Sequence, residues 1–134
     1  MLANSASKLN HMKIRIRGNS LRYRLTRSEV EQFLRTGHVE EKINFGNADL
    51  TYVIQRSEQD QLSASFENNQ IIFYLPASMA EQWKNDDIVG FDYEMPLNNS
   101  EEKLSLLIEK DFTCLDKIDE DQTDNYPNPL LKQL

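Results

Sequence analysis

The stretch MKIRIRGNSLRYRLTRSEVEQF, residues 12–33, predicts a β-hairpin that is followed at once by a helix. Apolar residues alternate with basic residues on both sides of Gly18, and this period of two is typical of two strands. A two-residue loop, Gly18-Asn19 or Asn19-Ser20, places the apolar residues of both strands on one face and the basic residues on the other. The alternative is a single long strand with a bulge at Gly18.

The helix after this hairpin has clear signals at both ends. Thr26 and Glu29 form the T-x-x-E pattern of a capping box, in which each side chain binds the backbone N–H of the other residue. Val30 and Phe33 supply a buried stripe. Gly37 suits the left-handed residue that commonly ends a helix. These features predict a helix between the cap and Gly37.

The rest of the chain reads as further strands and one more helix. The predicted strands lie near 38–45, 49–57, 62–67, 70–75, 87–95 and 103–114, and a short helix starts at Pro76 or Ser78 and ends near Lys84. We therefore expect an α+β domain with two short helices and a mostly antiparallel, curved sheet or partly closed barrel of about seven or eight strands.

The length of 134 residues suits a single domain. We expect a disordered leader over 1–11, the α+β domain over 12–115 and an acidic, proline-containing tail over 116–134. The chain has no apolar run long enough for a membrane span and no apolar core of a signal peptide, so we expect a cytoplasmic protein without a membrane partner. The single cysteine, Cys114, fits a reducing compartment.

The sequence also contains a weak internal repeat at a spacing of fifty residues. Each copy reads strand, short helix, strand, which suggests a duplicated fold, and chance similarity between two amphipathic units is the alternative. The matched positions include Asn19/Asn69, Tyr23/Phe73, Leu25/Leu75, Ser28/Ser78, Phe33/Trp83 and Val39/Val89.

Charge is divided between the two ends of the chain. Residues 1–35 contain eight Lys or Arg and two acids, a net charge of +6, and residues 86–134 contain thirteen acids and four Lys, a net charge of −9. Either the two ends neutralise each other within the fold, or the basic end binds an anionic ligand and the acidic end serves another partner. Both interpretations stay open at this point.

The predicted hairpin collects basic side chains on one sheet face, where they either bind an anion or form internal salt bridges. Like charges directly opposite one another destabilise a strand pair, so we expect carboxylates nearby. The basic residues are Lys13, Arg15, Arg17, Arg22 and Arg24, and the expected acidic counterpart is Glu109, Asp111, Asp116, Asp119 and Asp121. We expect residues 116–134 to lie over or beside this face, and their removal to lower stability most at low salt.

Several chemistries are not predicted. A calcium loop that starts at Asp119 would need Gly where Asp124 stands and Glu where Leu130 stands. Zinc ligands are lacking, because the chain has two histidines and one cysteine without suitable spacing. The chain has neither a G-x-S-x-G motif nor a phosphate-binding glycine loop. Cys114 is expected as a small buried residue. We therefore predict no metal, no cofactor and no catalytic residue.

Two resemblances follow from these motifs. The string over 12–33, together with EKDFTCL at 109–115 and YPNP at 126–129, resembles a family of short bacterial proteins of unknown function. Separately, RGNSLRYRLTRSEVEQF and QIIFYLPASMAEQW each resemble the strand–helix unit of SpoVT/AbrB-like swapped-hairpin domains. That second resemblance implies DNA binding as a dimer, and in toxin–antitoxin systems an acidic tail that grips a toxin. The present chain differs in its length, extra strands and acidity.

The sequence favours a non-enzymatic binding or interaction protein, with an anionic ligand or a protein as partner and either a monomer or a homodimer as its state. One alternative is a DNA-binding regulator or antitoxin of the swapped-hairpin type, whose affinity would fall steeply with salt. The other is an enzyme that acts on a phosphorylated small molecule inside a charged barrel, which requires a pocket lined by arginines and carboxylates.

Overall fold

The computed structural model describes residues 11–98 and 100–111, which form eight strands and two helices and confirm the α+β class. Neither helix in this part of the chain is long and apolar enough to cross a membrane. In chain order the elements are β1 (Lys13–Arg17), β2 (Ser20–Leu25), α1 (Arg27–Thr36), β3 (His38–Asn44), β4 (Asp49–Ser57), β5 (Ser63–Glu67), β6 (Gln70–Pro76), α2 (Ala77–Trp83), β7 (Gly90–Pro96) and β8 (Lys103–Lys110).

The first hairpin has the Gly18-Asn19 loop. Arg17 pairs with Ser20 across it, and Gly18 has a φ of 56°, a value that glycine adopts without steric cost. Ile14 lies opposite Tyr23 in this register, so the apolar residues of both strands share one face, as the two-residue loop predicts. Burial alternates along β2, where the apolar side chains are buried and the intervening polar ones are partly exposed.

The eight strands form two separate four-stranded sheets, and the prediction of one curved sheet or partly closed barrel was wrong in this respect. The first sheet has the order β1-β2-β8-β7 and the second has the order β3-β4-β6-β5. Four of the six strand pairings between the described residues are antiparallel, and the pairs β2–β8 and β4–β6 are parallel. Each sheet consists of two hairpins that are joined by the parallel pair at its centre. In the first sheet this pair is β2 with the distant β8, and in the second it is β4 with β6.

The fifty-residue repeat of the sequence is a repeat of structure. Each half of the chain is a hairpin, a helix and a second hairpin, and the helix carries the chain from one sheet to the other. Each sheet therefore contains one hairpin from each half. The registers of the two parallel pairs also correspond. Leu21 and Ile71 are equivalent positions of the repeat, and they lie opposite Leu106 in the first sheet and Tyr52 in the second.

The repeat has a different spacing after the second helix. β3 begins at His38 and β7 begins at Gly90, so the partner of Val39 in the repeat is Phe91. The sequence match of Val39 with Val89 is accordingly not structural. Val39 is buried at 3% exposure, whereas Val89 is 46% exposed.

Equivalent aromatic residues of the two halves meet each other in the shared core. The rings of Tyr23 and Phe73 are 4.9 Å apart, and those of Phe33 and Trp83 are 6.4 Å apart. All four side chains are at most 1% exposed. A residue that contacts its own counterpart lies near the axis that relates the halves. The two sheets and the two helices therefore pack around one approximate two-fold axis.

The two helices begin in different ways. Thr26 caps α1 with the predicted capping box, since its backbone N–H donates to Glu29 Oε1 at 2.9 Å and its hydroxyl accepts from the backbone of Glu29. Burial raises the pKa of Glu29, although hydrogen bonds from Thr26 oppose the shift. Gly37 ends α1 in the left-handed conformation with a φ of 80°, as predicted. Pro76 precedes α2 and provides no side-chain cap.

Candidate functional site

The candidate site is the face of the first sheet that points away from the core, and we call it the charged face. The hairpin of β1 and β2 places the predicted basic residues there because they alternate with the core residues. Arg15 lies directly opposite Arg22, and Lys13 lies opposite Arg24. Arg15 and Arg17 are exposed, and about half of the Lys13 side chain is exposed. The arrangement thus brings all five predicted basic residues onto one face.

Two of the predicted acidic residues, Glu109 in β8 and Asp111 just after it, lie beside these basic residues. Arg24 donates to Glu109 Oε2 from two nitrogens, at 2.7 Å and 3.1 Å, and the Arg22 guanidinium lies 4.0 Å from the same oxygen. The Lys13 ammonium is 3.3 Å from Asp111 Oδ2, and this aspartate side chain is only 5% exposed. Glu109 and Asp111 therefore form ion pairs with the basic half of the face. The parallel pairing of β2 with β8, which sets Arg24 beside Glu109, is what creates this contact.

The other half of the charged face is acidic. Asp92 and Glu94 on β7 are exposed and alternate with the partly buried Phe91, Tyr93 and Met95. In the sheet, one row runs from Arg15 through Arg22 and Leu107 to Asp92. Positive charge at the β1 edge therefore gives way to negative charge at the β7 edge of the same face.

Gly90 allows β7 to approach β8 closely at the point where Glu109 is held. A Cβ at this position would overlap with the carbonyl oxygen of Ile108 and would lie 2.8 Å from the Cα of Glu109. Only a residue without a side chain fits this backbone contact.

The second sheet provides an internal comparison for the charged face. The strand pair β5–β6 has the same register as β1–β2 fifty residues earlier, with Ser63 opposite Tyr74 as Lys13 is opposite Arg24. The positions that correspond to the five basic residues are Ser63, Ser65, Glu67, Ile72 and Tyr74. One half of the fold thus carries five positive charges on this hairpin, and the other half carries none.

A groove of about 700 Å³ lies between the two helices. Val30 and Trp83, both buried, line its base, and its rim carries charges of both signs, such as Arg27 and Asp86. This charged groove lies beside the helices. The enzyme hypothesis instead required a charged pocket inside a barrel. Within residues 11–98 and 100–111, no three His, Cys, Asp or Glu side chains are grouped as metal ligands.

A model of a protein family described as a family of unknown function, DUF7009, matches residues 12–130. The chain belongs to this family. No curated protein matches it. The family match covers nearly all of the chain, including the whole charged face, and carries no assignment of a site residue.

Some predicted site residues lie outside the part of the chain that the structure describes. These are Asp116, Asp119 and Asp121, with the tail over 116–134 to which they belong, the leader residues before His11, and Cys114. The two histidines are described. His11 Nδ1 lies 2.6 Å from Glu41 Oε1. Hydrogen bonding to Gln55 and Glu40 raises the pKa of His38, the first residue of β3.

The acidic half of the face was not among the predicted site residues. Asp92 and Glu94 alternate with apolar residues in GFDYEMP, which was a usable signal for their common face. Their position beside the basic half depends on the β7–β8–β2 order, which the local pattern does not contain. Ile16 lies on the same face as the other apolar residues of the hairpin, as predicted, yet 64% of this residue is exposed.

Proposed function

We propose that this protein is a non-enzymatic binding module whose partner, a protein, docks on the charged face. The observation that supports this proposal is the difference between the two halves of the chain. The hairpin β5–β6 folds with Ser63, Ser65 and Glu67 at the positions where β1 has three basic residues. Basic side chains are therefore not a requirement of this hairpin. Lys13, Arg22 and Arg24 form ion pairs with Asp111 and Glu109, and a role in recognition accounts for the exposed Arg15 and Arg17.

The division of charge on the face indicates the kind of partner. A partner that covers both halves needs an acidic region for β1 and β2 and a basic or neutral region for Asp92 and Glu94. Protein surfaces carry charges of both signs, and complementary charges set the orientation and rate of association. The single cysteine fits a cytoplasmic location for this interaction.

DNA binding is the second candidate, and the exchange of hairpins between the two halves favours it. The resemblance to swapped-hairpin domains implies an exchange of this kind, between two copies of a chain that together bind DNA. Two features speak against it. The second half lacks the five basic residues, so the two halves do not offer equivalent phosphate contacts. The acidic half of the charged face would repel a uniform polyanion.

The experiment compares two double charge reversals. Arg15→Glu/Arg17→Glu alters the basic half, and Arg35→Glu/Lys42→Glu is the control, because these two exposed residues lie on α1 and β3, away from the face. Immobilised wild-type protein captures partners from extracts of its own cells, and the purified partner is then titrated against all three proteins. Circular dichroism and the melting temperature establish that each variant folds.

We expect the reversal on β1 to weaken binding of the purified partner at least tenfold and the control to leave it unchanged. Equal binding by both variants would refute the proposal. A 20-base-pair DNA duplex is titrated in parallel over a range of salt concentrations. Tight duplex binding that falls steeply with salt and is lost in Arg15→Glu/Arg17→Glu would instead support the second candidate.

A further inference from the structure

Strand β1 is an open edge of the first sheet, since its pairing in the described residues is to β2 alone. Arg17 and Ser20 flank the two-residue loop, where the carbonyl of the first residue bonds the N–H of the last. Backbone groups alternate in direction along an antiparallel strand. Arg17 and Arg15 therefore direct their N–H and C=O groups towards β2, and Ile14 and Ile16 direct theirs towards the open edge.

The side chains along this edge have two characters. Arg15 and Arg17 project on the charged face, and Ile16, at 64% exposure, projects on the opposite face near the loop. A large apolar side chain at an accessible sheet edge is a feature that added strands use for side-chain contact. Basic side chains next to it discourage pairing between two copies of the same strand, because like charges would lie opposite one another.

We propose that β1 receives an extended acidic segment of the partner protein as an additional strand of the first sheet. This inference rests on the proposed function and specifies how the partner binds. Backbone hydrogen bonds to Ile14 and Ile16 hold the segment. Its acidic side chains lie beside Arg15 and Arg17, and alternate apolar side chains lie beside Ile16. The ligand is accordingly a stretch in which acidic and apolar residues alternate.

The other three edges suit such a segment less well. β7 carries Asp92 and Glu94, which would repel it. β5 carries Glu67 and no positive charge, although Phe66 there is 67% exposed. β3 carries Glu40 and Lys42 on its outer face and Glu41 on the other, so its charges give an acidic segment no net attraction. Charge complementarity therefore selects β1, and β5 supplies a control strand with the same hairpin geometry and a similarly exposed apolar residue.

The test uses the full chain and the capped peptide acetyl-Glu-Val-Glu-Val-Glu-Val-amide. The first variant, Ile16→Pro, removes the outward N–H at the edge, a position at which proline is tolerated because that N–H has no partner within the hairpin. The matched control is Phe66→Pro, the equivalent position on β5 next to the Asn68-Asn69 loop. There are two control peptides. In the first, Lys replaces each Glu, and in the second, the three Glu residues precede the three Val residues instead of alternating with them.

We expect the alternating acidic peptide to bind wild-type protein and the Phe66→Pro variant with the same affinity, and Ile16→Pro to bind at least tenfold more weakly. In the wild type, the peptide should slow hydrogen exchange at the amides of Ile14 and Ile16 at least tenfold. The Arg15→Glu/Arg17→Glu variant should prefer the Lys-Val peptide. This reversal of preference tests the inference independently of whether the proline variant folds.

Three outcomes would overturn the inference: no peptide binding to the full chain, equal affinity for the block peptide, and unchanged affinity in a folded Ile16→Pro variant. A mass that rises with protein concentration and falls in Ile16→Pro would identify a second copy as the occupant and would likewise overturn it. Peptide binding that appears only after residues 116–134 are removed would identify the acidic end of the chain itself as the occupant, and would also overturn it. If charge reversal abolishes partner binding while Ile16→Pro does not, the proposed function stands and the added strand is wrong. If neither change affects the partner, both are wrong.

Discussion

Gly90 is a position at which the first sheet has no room for a side chain. The backbone of β8 occupies the space that any side chain at this position would need, and the same contact fixes Glu109 beside Arg24. The overlap is with backbone atoms, so it cannot be relieved by a rotamer change. The position therefore links the packing of β7 to the ion pairing of the charged face.

Gly90→Ala should lower the free energy of unfolding by about 1–3 kcal/mol, the usual cost of forcing an extra group into a packed site. Denaturant unfolding measures this change. Val89→Ala is the control, because the neighbouring side chain is 46% exposed and its removal should change stability by less than about 0.5 kcal/mol. Equal midpoints for the two variants would mean that β7 can move away from β8 at little cost.

Tyr52 makes stability depend on pH in the alkaline range. Its hydroxyl donates to the carbonyl oxygen of Met12 at 2.6 Å, and burial, together with the charges of Glu41 and Glu29, raises its pKa to about 12. In the unfolded chain this group ionises near pH 10. The stability that it contributes is therefore fully present below pH 10 and is lost as the pH rises through 12.

Tyr52→Phe should therefore reduce stability at pH 7 by roughly 1–3 kcal/mol, because the buried carbonyl of Met12 loses its donor. The variant should also show a smaller loss of stability between pH 10 and pH 12 than the wild type. Burial raises the pKa of Tyr23 as well, so part of the alkaline loss should persist. Parallel stability–pH curves for the two proteins would show that Tyr52 does not titrate with unfolding.

At the scale of single elements, the two helices differ in how they start, and this difference can be measured. Thr26→Ala removes the hydroxyl that accepts from the helix N-terminus and should cost about 1 kcal/mol of stability. Ser78→Ala in α2 is the matched change, because no side chain caps that helix, and it should have little effect. Denaturant midpoints of both variants test this. A Thr26→Ala midpoint equal to that of the wild type would place the start of α1 elsewhere.

The elements that could be predicted are those whose signals are local in the sequence. Thr26, Glu29 and Gly37 lie within one helix length, and the Gly18-Asn19 loop fixes which side chains of its hairpin share a face. The pairing of β2 with β8 was not predictable in this way, because it joins residues such as Arg24 and Glu109 that are 85 positions apart. The division into two sheets follows from that pairing and from β4–β6, and neither has a local pattern.

The same distinction applies to the candidate site. Alternation alone predicts that Arg15 and Arg22 share a face, and the charge of Glu109 predicts a basic neighbour. The neighbours of the acidic half could not be predicted, since Asp92 meets the basic hairpin only through the order of strands in the first sheet. The exposure of Ile16 could not be predicted either, because apolar residues alternate with polar ones in the same way whether they lie at a sheet edge or in the core.

At the scale of the whole molecule, neither half of the chain can build a complete sheet alone. Each sheet needs one hairpin from each half, and the core pairs Tyr23 with Phe73 across the axis between them. The two halves are joined by exposed residues around Asp60 and Gln61. A break in the chain at this point should leave the packing between the halves intact.

We predict that the fragments 1–60 and 61–134 each lack the cooperative unfolding of the full chain when studied alone. An equimolar mixture should recover the circular dichroism spectrum of the intact protein and form a 1:1 complex by sedimentation. A fragment that unfolds cooperatively as a monomer would contradict this. A fragment that forms a homodimer would show that two copies of one half can exchange hairpins as the two halves do.

The exchange of hairpins also sets an order of events during synthesis on the ribosome. The second sheet can close as soon as β6 has emerged, because its parallel pair joins Thr51 to Gln70. The first sheet waits for β8, 85 residues after β2, a delay on the order of ten seconds at about 5–20 residues per second. Throughout this interval the inner edge of β2 lacks the strand with which it pairs in the folded protein. The nascent chain therefore passes through a half-closed stage, which offers molecular chaperones an unpaired strand edge and which ends when β8 completes the first sheet.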